Sequence, residues 1–327
     1  MSLKTPIFWN QKQSIISLLL IPFSYIWLLA SFLNKKKPKK FDIPVIKIGN
    51  VVAGGAGKTP TVISLTKKLI NSKINTHIIL KGYKSSASKS IQVKKDLHTY
   101  KEVGDEALLC AACATTWVGK NRSESINNAI NNGADLVILD DGLQDESILS
   151  NLNIIVFNGY QGIGNGRIIP SGPMRENMSK AINKSNLALI IDKDENNIAK
   201  LIGDTIPIIN SNLIIEDEYI NNFKNKNVLA FCGIGYPDKF YKSLKEIGCN
   251  ILYTKSFPDH YEYSDKDIKK LLKKSQELDT LLITTEKDHV KIMEDYKSRI
   301  YYFPIRIELN NYKILDDILL SIIKNKS

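Results

Sequence analysis

With 327 residues, 43% of them hydrophobic and 24% charged, the chain can bury a sizeable core, which excludes wholesale disorder. Lys and Arg number 45 against 34 Asp and Glu, and the net charge of +11 favours an anionic partner: nucleic acid, a phosphorylated substrate or an acidic lipid surface. Four cysteines are too few for a disulfide scaffold and fit a reducing compartment. Cys110 and Cys113 form a CxxC inside EALLCAACATTW, with no second pair or nearby His to complete a zinc set, so they read as small buried hydrophobes.

From Ile15 to Leu33 runs IISLLLIPFSYIWLLASFL, 19 residues without a charge, followed by Lys35, Lys36, Lys37, Lys39 and Lys40. The run just reaches the length that crosses a hydrocarbon core, and the lysines would hold the downstream chain on the cytoplasmic side. Ser17, Pro22, Ser24 and Ser31 make it less apolar than a typical span, which leaves a helix lying in the interface, or a first core helix, as alternatives. With no small-x-small site before the lysines, a cleaved signal peptide is not expected. Membrane contact is.

Beyond the lysines the pattern changes to short apolar runs alternating with helical stretches. VIKI (45–48), HIIL (77–80), LVILD (136–140), NIIVF (153–157) and LALII (187–191) read as buried strands of a parallel sheet covered by helices. The first ends in GNVVAGGAGKTP, followed by a helix from about 61 to 70. Val52, Ala53, Gly54, Gly55, Ala56, Gly57, Lys58 and Thr59 then form a phosphate loop. Glycines let backbone N–H groups wrap phosphate oxygens, Lys58 reaches the β/γ-phosphates, and the Thr59 hydroxyl is suited to Mg²⁺. The common form of this loop has Gly where Val52 stands. LVILDD puts Asp140 and Asp141 at the carboxyl end of a strand, where an acid can hold Mg²⁺ directly or through water, or else cap a helix. No NKxD follows a strand, and Thr285-Glu286-Lys287-Asp288 resembles one only loosely, so ATP is the expected nucleotide.

Asp105, in VGDEA, reads either as a first-turn helix acid or as the group that takes a proton from an acceptor hydroxyl. His260, in FPDHY, lies between a carboxylate and an aromatic, where it can tune a base or simply face solvent. Arg167 and Arg175 lie in the turn-rich GNGRIIPSGPMRE, which is either a phosphate-binding or a structural loop. Near residue 224 the pattern restarts. VLAFC (228–232), ILYT (251–254), LLITT (281–285) and IYYFPIRI (300–307), with helices at about 237–247 and 265–274, suggest a second, smaller α/β unit.

GNVVAGGAGKTP, KGYKSS, VGDEA, DDGLQ, GNGRIIPSGPMRE, FCGIGYPDKF, FPDHY and TTEKD occur in this order, and together with the apolar amino-terminal segment they resemble the tetraacyldisaccharide 4′-kinase family. The resemblance implies two α/β/α units with the active site between them: an amino-terminal segment 1–40, a kinase unit 41–223 and a smaller closing unit 224–327. It implies transfer of the ATP γ-phosphate to the 4′-hydroxyl of an acylated glucosamine disaccharide 1-phosphate, giving the 1,4′-bisphosphate (lipid IVA) at the cytoplasmic face of the inner membrane. In that family Val52 is ordinary, the catalytic aspartate matches Asp105, and its histidine partner matches His260. Asp140 and Asp141 match acids near magnesium, with Glu106 assisting, and Arg122, Arg167 and Arg175 match basic positions able to meet phosphates. Two departures stand out: Lys81-Gly82-Tyr83 replaces an RGY-type turn, and Asp145 follows DDGLQ where His is usual. A membrane-tethered P-loop ATPase or switch is the rival reading. A nucleic-acid partner is not expected, because no aromatic-basic motif accompanies the charge.

Overall fold

The computed structural model describes residues 6–33, 37–82, 89–215 and 217–324; Lys35, Lys36 and Tyr83 lie outside them. Nine strands form the main sheet: β1 (Val45–Gly49), β2 (Thr76–Leu80), β3 (Ile91–Gln92), β4 (Thr116–Val118), β5 (Leu136–Asp140), β6 (Leu152–Asn158), β7 (Leu187–Ile191), β8 (Ile208–Ile214) and, from the end of the chain, β13 (Arg306–Leu309). Their order is β13-β8-β7-β6-β1-β5-β2-β4-β3. The two edge strands, β3 and β13, pair antiparallel and the rest parallel. β1, β2, β5 and β7 are buried along their whole length, as the continuous Val/Ile/Leu runs require of strands covered on both faces. Replacing a fully buried residue such as Ile138 with Ala costs about 2–5 kcal/mol. β1 lies between β5 and β6, so its carboxyl end opens on the crevice where the strand order reverses, the usual ligand position in such sheets.

β9 (Asn227–Cys232), β10 (Asn250–Ser256), β11 (Leu281–Thr285) and β12 (Tyr301–Phe303) make a second parallel sheet in the order β10-β9-β11-β12. The segment IYYFPIRI does not stay within it. Pro304 cannot donate to a ladder, and the chain breaks there. β12 ends beside β11, and β13 crosses to the main sheet and pairs with β8. The following helix, Tyr312–Lys324, buries Leu315, Leu319 and Ile322 in the core of the larger unit. The smaller unit is therefore tied to the larger one at both of its ends.

The apolar run near the amino terminus is also broken. It forms α1 (Ile15–Leu19) and α2 (Ile21–Leu33), with Pro22 in the first turn of α2, where a missing N–H is tolerated. No described helix is long and apolar enough to cross a membrane, and the 13 residues of α2 rise only about 20 Å. The pattern is inside out. Ser14, Ser17 and Ser24 are buried, whereas Ile15 (77%), Leu19 (71%) and Tyr25 (69%) are exposed.

Candidate active site

The phosphate loop hangs from the end of β1 and runs into α3 (Lys58–Asn71), whose first N–H groups and dipole favour an anion. Gly57 has φ +91°, and a Cβ there would lie 2.3 Å from Ile191 Cδ1, so only glycine fits this turn. The loop is held from one side by the 164–176 segment: Ala53 N–H donates to the Pro173 carbonyl (2.8 Å), and Arg175 N–H to the Val51 carbonyl (2.7 Å). The Lys58 ammonium donates to Asn50 Oδ1 at 3.1 Å and lies 3.7 Å from Asp141 Oδ1.

Thr59 Oγ1 donates to Asp140 Oδ2 at 2.9 Å. Asp140 is buried, and its other oxygen, Oδ1, has no hydrogen-bond partner among the described residues. Burial, reinforced by the charge of Glu106, pushes this carboxyl well above its ordinary range against the pull of Lys58. Asp141, at φ +52°, keeps its side chain partly exposed, and against the burial it does have Lys58 and Arg175 hold it below that range. Arg175 donates to both of its oxygens, at 2.8 and 2.9 Å. Among the described residues no three His, Cys, Asp or Glu side chains converge as a protein-only metal centre. Mg²⁺ does not need one, since it keeps waters and shares phosphate oxygens with one or two carboxylates. The Thr59 hydroxyl and the unpartnered Asp140 Oδ1 fit that donor set.

A second cluster faces the first. α4 (Tyr100–Val103) is followed by Gly104 at φ +92°, which opens α5 (Asp105–Ala111) with Asp105 in its first turn. Asp105 Oδ1 accepts the Glu106 N–H at 2.9 Å, and Oδ2 lies 2.9 Å from His260 Nδ1. Burial alone would raise the Asp105 carboxyl, but the charge of Lys287 and the His260 contact hold it far below the ordinary range. His260, at φ +55°, follows β10 in a loop fixed by its own N–H on the Gly233 carbonyl (3.2 Å). Lys287 sits in the short helix Glu286–His289 after β11, with its ammonium 3.1 Å from His260 Nε2 and 3.3 Å from Glu106 Oε1.

Of the residues expected from the sequence, Lys58, Thr59, Asp140, Asp141 and Arg175 come together around the phosphate loop, and Asp105, Glu106 and His260 around the second cluster. A Cβ added at Gly235 would stand 3.5 Å from both Gly55 N and Asp259 Oδ2, so the 233–236 turn brings the clusters side by side. Arg122, in the first turn of α6 (Arg122–Asn131), is only 6% exposed. Its guanidinium donates to the Asp140 and Asp141 carbonyls and to Asp145 Oδ2, bracing the end of β5. Asp145, one of the two departures, is thus the anchor of Arg122. Arg167 donates to Ser17 Oγ at 2.7 Å, on the amino-terminal segment. Lys81, the other departure, is exposed just past β2. The sequence reading gave Lys287 no role: TTEKD was weighed as a nucleotide-base motif and then counted among the motifs of the family resemblance. The available signal was its place after the buried run LLITT, at the carboxyl end of a parallel strand.

The family model described as tetraacyldisaccharide-1-P 4'-kinase (LpxK) matches residues 16–324. The tetraacyldisaccharide 4'-kinase of Parvibaculum lavamentivorans is 37% identical over 299 residues, 89% of this chain and 87% of the relative. That of Paramagnetospirillum magneticum is 36% identical over 309 residues, 94% of each chain. The solved structure of LpxK from Aquifex aeolicus in complex with ATP shares the fold, with a TM-score of 0.76 at 24% identity over 94% of this chain and 100% of that one.

Proposed function

Because this chain belongs to the tetraacyldisaccharide 4′-kinase family, we propose that it transfers the γ-phosphate of ATP to the 4′-hydroxyl of a tetraacyldisaccharide 1-phosphate, giving the 1,4′-bisphosphate. The observation that carries this reading is the Asp105–His260 contact of 2.9 Å beside a phosphate loop in one cleft.

In this reading the loop 52–59 and the amino end of α3 bind the ATP phosphates, and Lys58 offsets charge that builds on the transferring group. Thr59 and Asp140 would hold Mg²⁺, with Asp141 and Arg175 beside them; bound there, the ion supplies positive charge to the β- and γ-phosphate oxygens. Asp105, oriented by His260, takes the proton of the 4′-hydroxyl as that oxygen forms its bond to the γ-phosphorus. The bond from the γ-phosphorus to the bridging oxygen breaks, and ADP leaves with the electron pair. Positioning and electrostatics supply most of the rate, since little covalent work falls to the protein.

Residues 41–223 bind nucleotide, and the unit that begins near 224 closes the cleft by delivering His260. The exposed apolar surface of α1 and α2 supports attachment to the cytoplasmic face of the inner membrane, where an acylated acceptor can present its sugar without leaving the bilayer.

The test is transfer of label from γ-³²P-ATP to a tetraacyldisaccharide 1-phosphate in detergent micelles, with Lys58→Ala, Asp105→Ala and His260→Ala alongside wild type. Labelled bisphosphate lipid from wild type and large losses in the three variants are expected. ATP hydrolysis that ignores the lipid, with no labelled product, would overturn the kinase reading in favour of an ATPase or switch.

A further inference from the structure

Lys287 is half-buried where the two units meet. Its ammonium reaches Glu106 Oε1 of the larger unit at 3.3 Å, and in its own unit it lies 3.1 Å from His260 Nε2 and 3.7 Å from Asp259 Oδ1. Burial by itself would pull the ammonium down, but Glu106, Asp105, Asp259 and Asp288 together raise it above its ordinary range, so the group facing the imidazole is a cation.

An ammonium carries three donors and no acceptor. A ring nitrogen 3.1 Å away can meet it only with a lone pair, so the imidazole proton must sit on the other nitrogen, Nδ1, which faces Asp105 Oδ2 at 2.9 Å. The two contacts are compatible with one tautomer and conflict with the other. We propose that Lys287 is a positioning residue that fixes His260 with its proton on Nδ1 and a bare Nε2, so that His260 donates to Asp105 and leaves that carboxylate ionised to accept the hydroxyl proton. The inference rests on the kinase reading for its purpose, but the tautomer stands or falls without it.

The arrangement also makes the tautomer depend on the meeting of the units. Asp105 and Glu106 come from α5, whereas Asp259 and His260 come from the loop after β10 and Lys287 from the short helix after β11. Lys287 therefore ties His260 to the unit that carries the base, through Glu106, while holding the ring in the orientation that serves it. The ring orientation and the inter-unit ion pair share one side chain.

The experiment uses the ¹⁵N-labelled full chain in detergent and long-range ¹H–¹⁵N spectra of its four histidines, with His260 assigned by its loss in His260→Gln. Wild type is expected to show His260 protonated at Nδ1 and bare at Nε2, with no substitution needed. Lys287→Met is expected to lose that pattern and to lower kcat about 10- to 100-fold, the usual cost of removing a group that orients a functional side chain. The KM for ATP stays near that of wild type, because the phosphate loop is untouched. Lys287→Arg, which keeps the charge, restores the tautomer and part of kcat. An Nε2-protonated His260 in wild type overturns the proposal. So does a folded Lys287→Met chain with the wild-type tautomer and kcat. If wild type labels no lipid, the kinase reading fails while the spectrum still decides the tautomer.

Discussion

Asn50 and Lys58, which meet in the phosphate loop, are eight residues apart, whereas Asp105 and His260 meet across 155 residues of chain. The loop is a local construction: one strand end, a turn with left-handed glycines and the first turn of one helix. The pair Asp105–His260 exists only when two sheets, each with its own core, are brought together. One region binds phosphate by backbone geometry, which is insensitive to most distant changes. The other depends on the contact between units, held on one side by Lys239–Asp192 at 2.5 Å and on the other by Lys287–Glu106.

Substitutions should separate these regions. The largest effect is expected from Asp105→Ala, which lowers label transfer about 10²–10⁴-fold, the range for losing a general base. Its ATP affinity, read by calorimetric titration, stays near that of wild type. A parallel loss of ATP binding would show that the two regions are not independent. Gly57→Ala should behave in the opposite way. It forces a side chain into φ +91° against Ile191, costs about 1–3 kcal/mol of stability and abolishes ATP binding. Double-mutant cycles on Asp105 and His260 in that variant should still report their coupling in thermal unfolding.

A smaller effect is expected at the amino-terminal hook. Ser17 Oγ donates to the Ser171 carbonyl and accepts from Arg167, while the Ser171 hydroxyl returns a bond to the Ser17 carbonyl. Trp27 Nε1 donates to the Arg175 carbonyl, and Arg175 in turn holds Asp141. Ser17→Ala removes the acceptor of Arg167 Nη1 and one of the two donors to the Ser171 carbonyl, which keeps Asn165 Nδ2, at about 1–3 kcal/mol. Limited proteolysis should then release residues before Phe41 sooner than in wild type. Equal cleavage rates would show that the hook does not hold the segment.

The smallest effect is a pH dependence. Asp105 is depressed in the folded state, so its contribution to stability is complete above the ordinary carboxylate range and is lost as pH falls through the depressed folded value. Denaturant titrations of wild type and Asp105→Asn should therefore differ more at about pH 7 than at about pH 3. A difference independent of pH would mean that the stabilisation is packing, not charge.

Much of the fold was legible as apolar runs. LVILD, LALII and LLITT coincide with β5, β7 and β11 residue for residue, because strands covered on both faces read as near-continuous apolar runs. β3, β4 and β8 were not read, since short or edge strands alternate polar with apolar residues and give no continuous run. The crossing of β13 to the main sheet was hidden as well: Pro304 announces a break in IYYFPIRI, but the destination of Arg306–Leu309 depends on the free edge of β8.

The sequence by itself determined that residues 45–71 form strand, phosphate loop and helix, because spacing along one short segment sets the geometry of a backbone cradle. It also marked Asp105, Asp140 and His260 as candidates. Only the tertiary structure decided what each of them faces. Arg122 carries the same charge wherever it lies, yet its fold neighbours make it a brace for the end of β5. Lys287 looks like any surface lysine until the approach of α5 surrounds it with carboxylates. Ser17 and Ser24 interrupt an apolar run, and it took the docking of the 164–176 segment to turn them inward and leave isoleucines and leucines outside. Charge and hydropathy are properties of the residue, but partner and exposure are properties of the packing.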